Sequence, residues 1–123
     1  MARVLVIDDN TVNLDLMLYL LRAFGHEASG ESDGLAGLDA LRSNAFDVVL
    51  ADILMPGIDG YEFAKRVRNE LRSNVPLVAV TALAMPGDRE RITSSGFDGY
   101  LAKPIEPRTF ASQVDAFVPR EPA

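Results

Sequence analysis

The chain has 123 residues, of which 48% are apolar and 24% charged, and 12 basic against 18 acidic side chains give a net charge of −6. These values fit one globular domain. The lack of cysteine excludes disulfides and thiolate chemistry, the acidic charge argues against nucleic-acid binding, and no apolar run is long enough for a membrane span. Because the start also lacks a secretory-signal pattern, we expect a cytoplasmic protein.

Five short strands alternate with five helices along the sequence. In chain order the pattern predicts a strand over 4–7, a helix over 12–24, a strand over 27–29, a helix over 35–41, a strand over 48–51, a helix over 63–71, a strand over 77–80, a helix over 87–95, a strand over 99–102 and a helix over 107–118. Such alternation predicts a doubly wound α/β fold: a five-stranded parallel sheet of flavodoxin-like order 2-1-3-4-5, covered by helices on both sides.

Polar side chains follow four of the predicted strands. Asp8 and Asp9 follow the first strand, and Asp52 follows the third. Thr81 and Lys103 follow the fourth and the fifth. In the 2-1-3-4-5 order, strands one and three are neighbours about 4.8 Å apart, so the three carboxylates converge where open α/β sheets bind ligands. Acids this close need a counter-charge to ionise together, and Mg²⁺ is a suitable one.

The side chains at this predicted site suit a phosphoryl group. Lys103 offers a compact positive charge, and Thr81 offers a hydroxyl donor. Asp52, the central carboxylate, is a candidate nucleophile that would form an aspartyl phosphate. Magnesium and Lys103 would then stabilise an in-line transfer by position and charge.

Each of these residues also has a purely structural explanation. Asp8 and Asp9 could cap the first helix, together with the Asn-Thr pair that follows them. Asp52 could open a loop rich in turn signals, and Lys103 could be an ordinary solvated lysine. All of these explanations would have to hold at the same end of one sheet, which favours the phosphoryl site.

The sequence resembles the receiver domain of bacterial two-component response regulators, a CheY-like fold, over essentially its whole length. The resemblance is carried by the segments VLVIDDN at 4–10, DILMPGIDG at 52–60, VTA at 80–82 and YLAKP at 100–104. It implies a receiver domain over 1–118 and a short tail over 119–123. The stretch from 78 to 103 is similar to single-domain regulators of the DivK type and to receivers fused to hybrid histidine kinases.

The resemblance implies roles for the residues of the site. Asp52 is the implied phosphoacceptor, and Asp9, Asp52 and the backbone carbonyl of Leu54 are the implied ligands of Mg²⁺, with Mn²⁺ as the alternative ion. Asp8 would assist through a water molecule. Thr81 would hydrogen-bond the phosphoryl group.

Further implied features concern the phosphoryl group and the response to it. Lys103 would bridge to the phosphoryl group, the small Ala82 would leave it accessible, and the Lys103–Pro104 bond would be cis. Thr81 and Tyr100 match the two switch positions, with the face of helix four, strand five and helix five as the readout. Leu54 and Leu83 would flank the attacking water, and since both are apolar we expect a long-lived phosphate.

Helix one carries a wide apolar arc, and two interpretations remain open. Either the neighbouring helix five absorbs the excess, or Leu14 and Leu18 belong to an exposed patch that docks the partner bearing the phosphodonor histidine. His26 is predicted to be a surface or edge residue without a role in chemistry.

The sequence thus predicts a phosphoacceptor switch of a two-component system or phosphorelay. Its partner would be a histidine kinase or a histidine phosphotransfer protein, its downstream effector is not identified, and neither nucleic acid nor membrane is expected. A receiver-like scaffold that is not phosphorylated is the alternative. An FMN-binding electron carrier shares the fold, but it would need a hydroxyl- and glycine-rich loop where this chain has acids.

Overall fold

The computed structural model describes residues 2–82 and 86–119, which form one five-stranded sheet with helices on both faces. The elements are β1 (Arg3–Ile7), α1 (Thr11–Ala23), β2 (Glu27–Glu31), α2 (Gly34–Ser43), β3 (Val48–Asp52), α3 (Gly60–Asn69), β4 (Leu77–Thr81), α4 (Pro86–Ser94), β5 (Gly99–Ala102) and α5 (Phe110–Asp115). All four strand pairings are parallel, in the order β2-β1-β3-β4-β5. The predicted fold class and strand order are confirmed. Among the described residues, no helix is both long and apolar enough to cross a membrane.

The continuous apolar runs of the central strands are explained by two cores, one on each face of the sheet. In β1, Leu5 and Ile7 pack into the core beneath α2 and α3, whereas Val4 and Val6 pack into the core beneath α1 and α5. A strand buried on both faces has no solvent side, so its sequence shows no polar alternation. The pairing of β1 with β3 places the residues after Ile7 beside the end of β3.

Short polar side chains fix where three helices begin. Asn10, Asp33 and Asp59 each occupy the N-cap position, and each side chain accepts a hydrogen bond from a backbone N–H of the first turn. Such a cap contributes about 1 kcal/mol. At the first helix it is Asn10 that acts as the cap, whereas Oδ1 of Asp8 accepts the backbone N–H of Asn10 at 2.9 Å and does not cap the helix.

The last helix is shorter than the sequence predicted. It was expected to begin at Pro107, but residues 107–109 form a turn and α5 begins at Phe110. The backbone N–H groups of Thr109 and Phe110 both donate to the carbonyl of Glu106, so the chain turns once before the helix starts. Proline suits this turn as well as a first helical turn, since its fixed φ fits both.

His26 directly precedes the edge strand β2, but it is not the surface residue that was also considered, because its side chain is buried. Its Nδ1 accepts a hydrogen bond from the backbone N–H of Ala2 at 3.0 Å, and its ring stacks on Phe24. Nε2 lies 3.4 Å from a carboxylate oxygen of Asp115 on α5. His26 therefore packs the start of the chain against α5, at the end of the sheet opposite to the acids.

Candidate functional site

Three carboxylates meet at the carboxyl end of the sheet. Asp8 and Asp9 follow β1 and Asp52 ends β3, and one oxygen of each lies within 4.8 Å of an oxygen of the others. Asp8 and Asp52 are buried, whereas Asp9 is exposed. The strand order predicted this convergence, and the topology produces it because β1 and β3 are neighbours.

Lys103 lies between the two buried carboxylates. Its ammonium donates to Oδ2 of Asp8 at 3.0 Å and to Oδ2 of Asp52 at 2.9 Å. The backbone N–H of Lys103 donates to the carbonyl of Thr81, which ties the end of β5 to the end of β4. The Lys103–Pro104 bond is cis, as the resemblance implied. Charge-assisted hydrogen bonds of this length fix the ammonium in the pocket.

The charges of the site do not balance. Three carboxylates face one ammonium, so two negative charges remain when all groups are ionised. Burial raises the pKa of the Asp52 carboxyl above its usual range, and the hydrogen bond from Lys103 opposes that rise. Burial also lowers the pKa of Lys103, but its hydrogen bonds to Asp52 and Asp8 outweigh this and leave the pKa raised. The pocket therefore attracts a further cation.

The donor set fits a hard divalent cation. All three candidate donors are carboxylate oxygens, which magnesium prefers over nitrogen or sulfur. Because Asp9 is exposed, the group remains open to solvent on one side, and magnesium commonly keeps several waters. Oδ1 of Asp52 already accepts a hydrogen bond from the backbone N–H of Leu54 at 3.2 Å, which orients the carboxylate.

Gly60 supports the Asp52 backbone, and this role was not anticipated from the sequence. A Cβ at position 60 would lie 2.5 Å from the carbonyl oxygen of Asp52 and 2.6 Å from Cα of Ile53. The N–H of Gly60 donates to the carbonyl of Ile53. The loop after β3 thus returns directly onto the strand end. The Asp-Gly pair at 59–60 signalled a turn, but not that the turn packs on the site.

The remaining predicted residues of the site have different surroundings. Thr81 is buried at the end of β4, Ala82 is exposed, and the Leu54 side chain is 59% exposed beside Asp52. Leu83 lies outside the described residues. Tyr100 is half-buried on β5, and its hydroxyl accepts a hydrogen bond from Nε of Arg89 on α4 at 2.8 Å.

The expectation that Leu14 lies on an exposed patch of α1 is wrong. Leu14 is buried in the core, and Leu18 is half-buried. Both pack on Gly30 of β2, where a Cβ would approach their methyl groups to about 3 Å, so the absence of a side chain lets the helix settle onto the strand. Among the large apolar side chains of α1, the exposed ones are Val12 and Tyr19. A docking role for Leu18 stays a prediction.

Comparison with known proteins agrees with this geometry. The family model for the response regulator receiver domain matches residues 4–115. The chain belongs to this family. Receiver domains of two-component response regulators are phosphoacceptor switches, and they bind Mg²⁺ at an acidic pocket.

The relatives of this receiver include free-standing and fused proteins. It is 37% identical to the polar-differentiation response regulator DivK of Brucella anthropi over 117 residues, which cover 94% of each chain. It is 40% identical over 116 residues to the sensor protein GacS of Pseudomonas syringae pv. syringae, covering 91% of this chain but 13% of that protein. The chemotaxis response regulator CheY4 of Vibrio cholerae has a similar structure, with a TM-score of 0.90, 28% identity and coverage of 96% and 99% of the two chains.

Proposed function

We propose that Asp52 of this receiver accepts a phosphoryl group from a histidine of a histidine kinase or a histidine phosphotransfer protein. The observation that carries this proposal is the position of Oδ2 of Asp52, 2.9 Å from the Lys103 ammonium, in a pocket that also holds Asp8 and Asp9. Asp52 ends β3, which is the central strand of the sheet. A nucleophile at this position has the Lys103 ammonium beside it and the exposed Asp9 within the same group of acids.

We propose that Asp9, Asp52 and the backbone carbonyl of Leu54 hold Mg²⁺, with Asp8 acting through a water molecule and Mn²⁺ as a substitute ion. The three carboxylates are already assembled, which supports this ligand set. When bound, the cation supplies positive charge for the oxygens of the transferring phosphoryl group.

The residues of the chain then perform an in-line transfer. A carboxylate oxygen of Asp52 forms a bond to phosphorus while the bond from phosphorus to the donor imidazole nitrogen breaks; the imidazole keeps that electron pair and takes up a proton. The hydrogen bond from Lys103 favours the ionised form of Asp52, which is the form that attacks. Thr81 supplies a hydroxyl from the end of β4, and the small Ala82 leaves the approach open.

The proposed response to phosphorylation uses the neighbouring elements. Phosphorylation adds negative charge to an acidic pocket, and a two-state element must respond to that charge. We propose that Thr81 and Tyr100 are its moving side chains and that the face made by α4, β5 and α5 is the readout. The backbone link from Lys103 to Thr81 supports this coupling, because it joins the ends of β4 and β5 at the site.

The proposal is tested by phosphorylation from acetyl phosphate with and without Mg²⁺. We expect acid-labile phosphate on the wild type in the presence of the ion, and none on Asp52→Asn. Asp47→Asn is the matched control, because Asp47 precedes the same strand at its opposite end and should leave labelling unchanged. A folded wild-type protein that stays unlabelled by acetyl phosphate and by phosphorylated histidine kinases would instead favour the unphosphorylated scaffold.

A further inference from the structure

Few of the described side chains of helix α4 are buried against the rest of the domain. Among residues 87–94, Ile92 is the buried side chain, and it packs into the core beneath α2 and α3. The other described attachments include two arginines that lie over tyrosines of neighbouring elements. Arg91 lies over Tyr61 of α3 with its guanidinium carbon 4.0 Å from the ring centroid, and Arg89 lies over Tyr100 of β5.

The contact between Arg89 and Tyr100 joins two interactions in one pair. Nε of Arg89 donates to the tyrosine hydroxyl at 2.8 Å, and the guanidinium carbon lies 5.6 Å from the ring centroid. A guanidinium that is both hydrogen-bonded and close to the ring restricts the hydroxyl to one location. The ring itself packs against the buried core. The pair therefore fixes the tyrosine hydroxyl at the α4 side of β5.

This contact lies close to the proposed phosphorylation site. Tyr100 is paired with Ala79, two residues before Thr81 at the end of β4. In the chain, α4 begins five positions after Thr81, and Arg89 lies in its first turn. The contact between Arg89 and Tyr100 therefore joins the first turn of α4 to β5, the strand that pairs with the one carrying Thr81.

We propose that Arg89 is a positioning residue that holds Tyr100 in the unphosphorylated arrangement, and that separating the two side chains is part of the free-energy cost of phosphorylation at Asp52. This inference rests on the proposed function. By linkage, a contact present in the resting state and lost in the phosphorylated state weakens the binding of any phosphoryl mimic. Removing the contact must then strengthen that binding.

The experiment measures the binding of beryllofluoride, a phosphoryl mimic, in the presence of Mg²⁺ by calorimetry on the full chain. We expect Arg89→Ala to bind beryllofluoride about five-fold more tightly than the wild type, which corresponds to about 1 kcal/mol at 1.4 kcal/mol per tenfold. The ring resonances of Tyr100 in the unliganded variant should shift toward those of the beryllofluoride-bound wild type. The double mutant Arg89→Ala/Tyr100→Phe should bind beryllofluoride no more tightly than Arg89→Ala, because the hydrogen bond between the two side chains is already absent in the single variant.

Arg3→Ala is the matched control, because Arg3 also lies over an aromatic ring, that of Phe46 at 5.3 Å, but far from α4. This control should leave beryllofluoride affinity unchanged. Equal affinity of Arg89→Ala and wild type, or weaker binding by the variant, would overturn the role of Arg89 even if its stability fell. If the wild type does not bind beryllofluoride with Mg²⁺, the proposed function fails and this inference fails with it. Should Arg89→Ala not fold, Arg89→Gln replaces it, with the same expected direction.

Discussion

The two ends of the sheet use charged residues in opposite ways. At the amino end, Arg68 donates to the carbonyls of Gly96, Ser73 and Val75 and to the Asp98 carboxylate. The Asp98 carboxylate also accepts the N–H of Leu77 at the start of β4. The carboxylate of Asp47 accepts the N–H of Arg3. These charges satisfy loop backbone groups.

At the carboxyl end, the acids exceed the cations. Asp8 and Asp52 share the Lys103 ammonium, Asp9 adds a third carboxylate to the group, and burial raises the pKa of Asp52. The comparison shows that the surroundings, and not the residue type, separate structural from functional charges in this fold. Charges that neighbouring backbone groups satisfy stabilise the domain, whereas unbalanced ones are available to a ligand.

The largest expected effect is at the amino end. Arg68→Ala removes four hydrogen bonds and leaves loop carbonyls without their donor, so we expect the free energy of unfolding to fall by about 3 kcal/mol in urea denaturation. Lys65→Ala on the same helix is the control, since Lys65 is exposed, and it should cost less than about 0.5 kcal/mol. The affinity of folded Arg68→Ala for Mg²⁺ should match that of the wild type; a large loss would show that the two ends are not independent.

A cation bound among the acids of the carboxyl end should stabilise the folded domain. At 100 times its dissociation constant, Mg²⁺ should raise the free energy of unfolding by about 2.7 kcal/mol. In Asp9→Asn this gain should largely disappear, because an exposed proposed ligand is lost while the buried pair of Asp52 with Lys103 remains. Without Mg²⁺, Asp9→Asn should be at least as stable as the wild type. An equal magnesium effect in both proteins would remove Asp9 from the ligand set.

The smallest effect concerns the pH dependence of stability without a metal ion. Since folding raises the pKa of Asp52 above its ordinary value of 3.8, the folded chain binds this proton more tightly than the unfolded chain. The contribution of Asp52 to stability is therefore favourable at low pH and is lost as pH rises from that value through the raised one. Asp52→Asn should remove this loss and be up to about 1 kcal/mol more stable at neutral pH. Lower stability of the variant across the whole pH range would contradict the assignment.

How far the sequence predicts this molecule depends on the range over which each interaction acts. Asp52 and Lys103 could be placed because the carboxyl ends of parallel strands share one edge of the sheet, and the strand order brings the two residues to that edge. His26 could not, because its neighbours Ala2 and Asp115 lie at the two ends of the chain. Helical periodicity predicted which side chains of α1 are apolar, but not how closely the helix packs on the sheet. That distance depends on Gly30 of β2, which has no side chain to hold the helix away.

The boundaries of the last helix and the role of Gly60 show the same limit. Pro107 is compatible with either a turn or the start of a helix. Which of the two forms depends on the carbonyl that accepts the N–H groups of Thr109 and Phe110, and here both donate to Glu106. Gly60 packs on the backbone of Asp52, a contact that no local pattern distinguishes from an ordinary glycine turn. Local sequence preferences predicted where helices and strands occur. Tertiary contacts determined where these elements end and how closely they pack on one another.

The ammonium that lies between two carboxylates has a consequence for how an ion exchanges. Because Lys103 already neutralises part of the negative charge, the pocket attracts an entering cation less strongly than three carboxylates without the ammonium would. Weaker retention goes with rapid release, so such a pocket would empty and refill many times during the life of the molecule. Its occupancy would then follow the free magnesium concentration around it, and readiness to react would vary with that concentration.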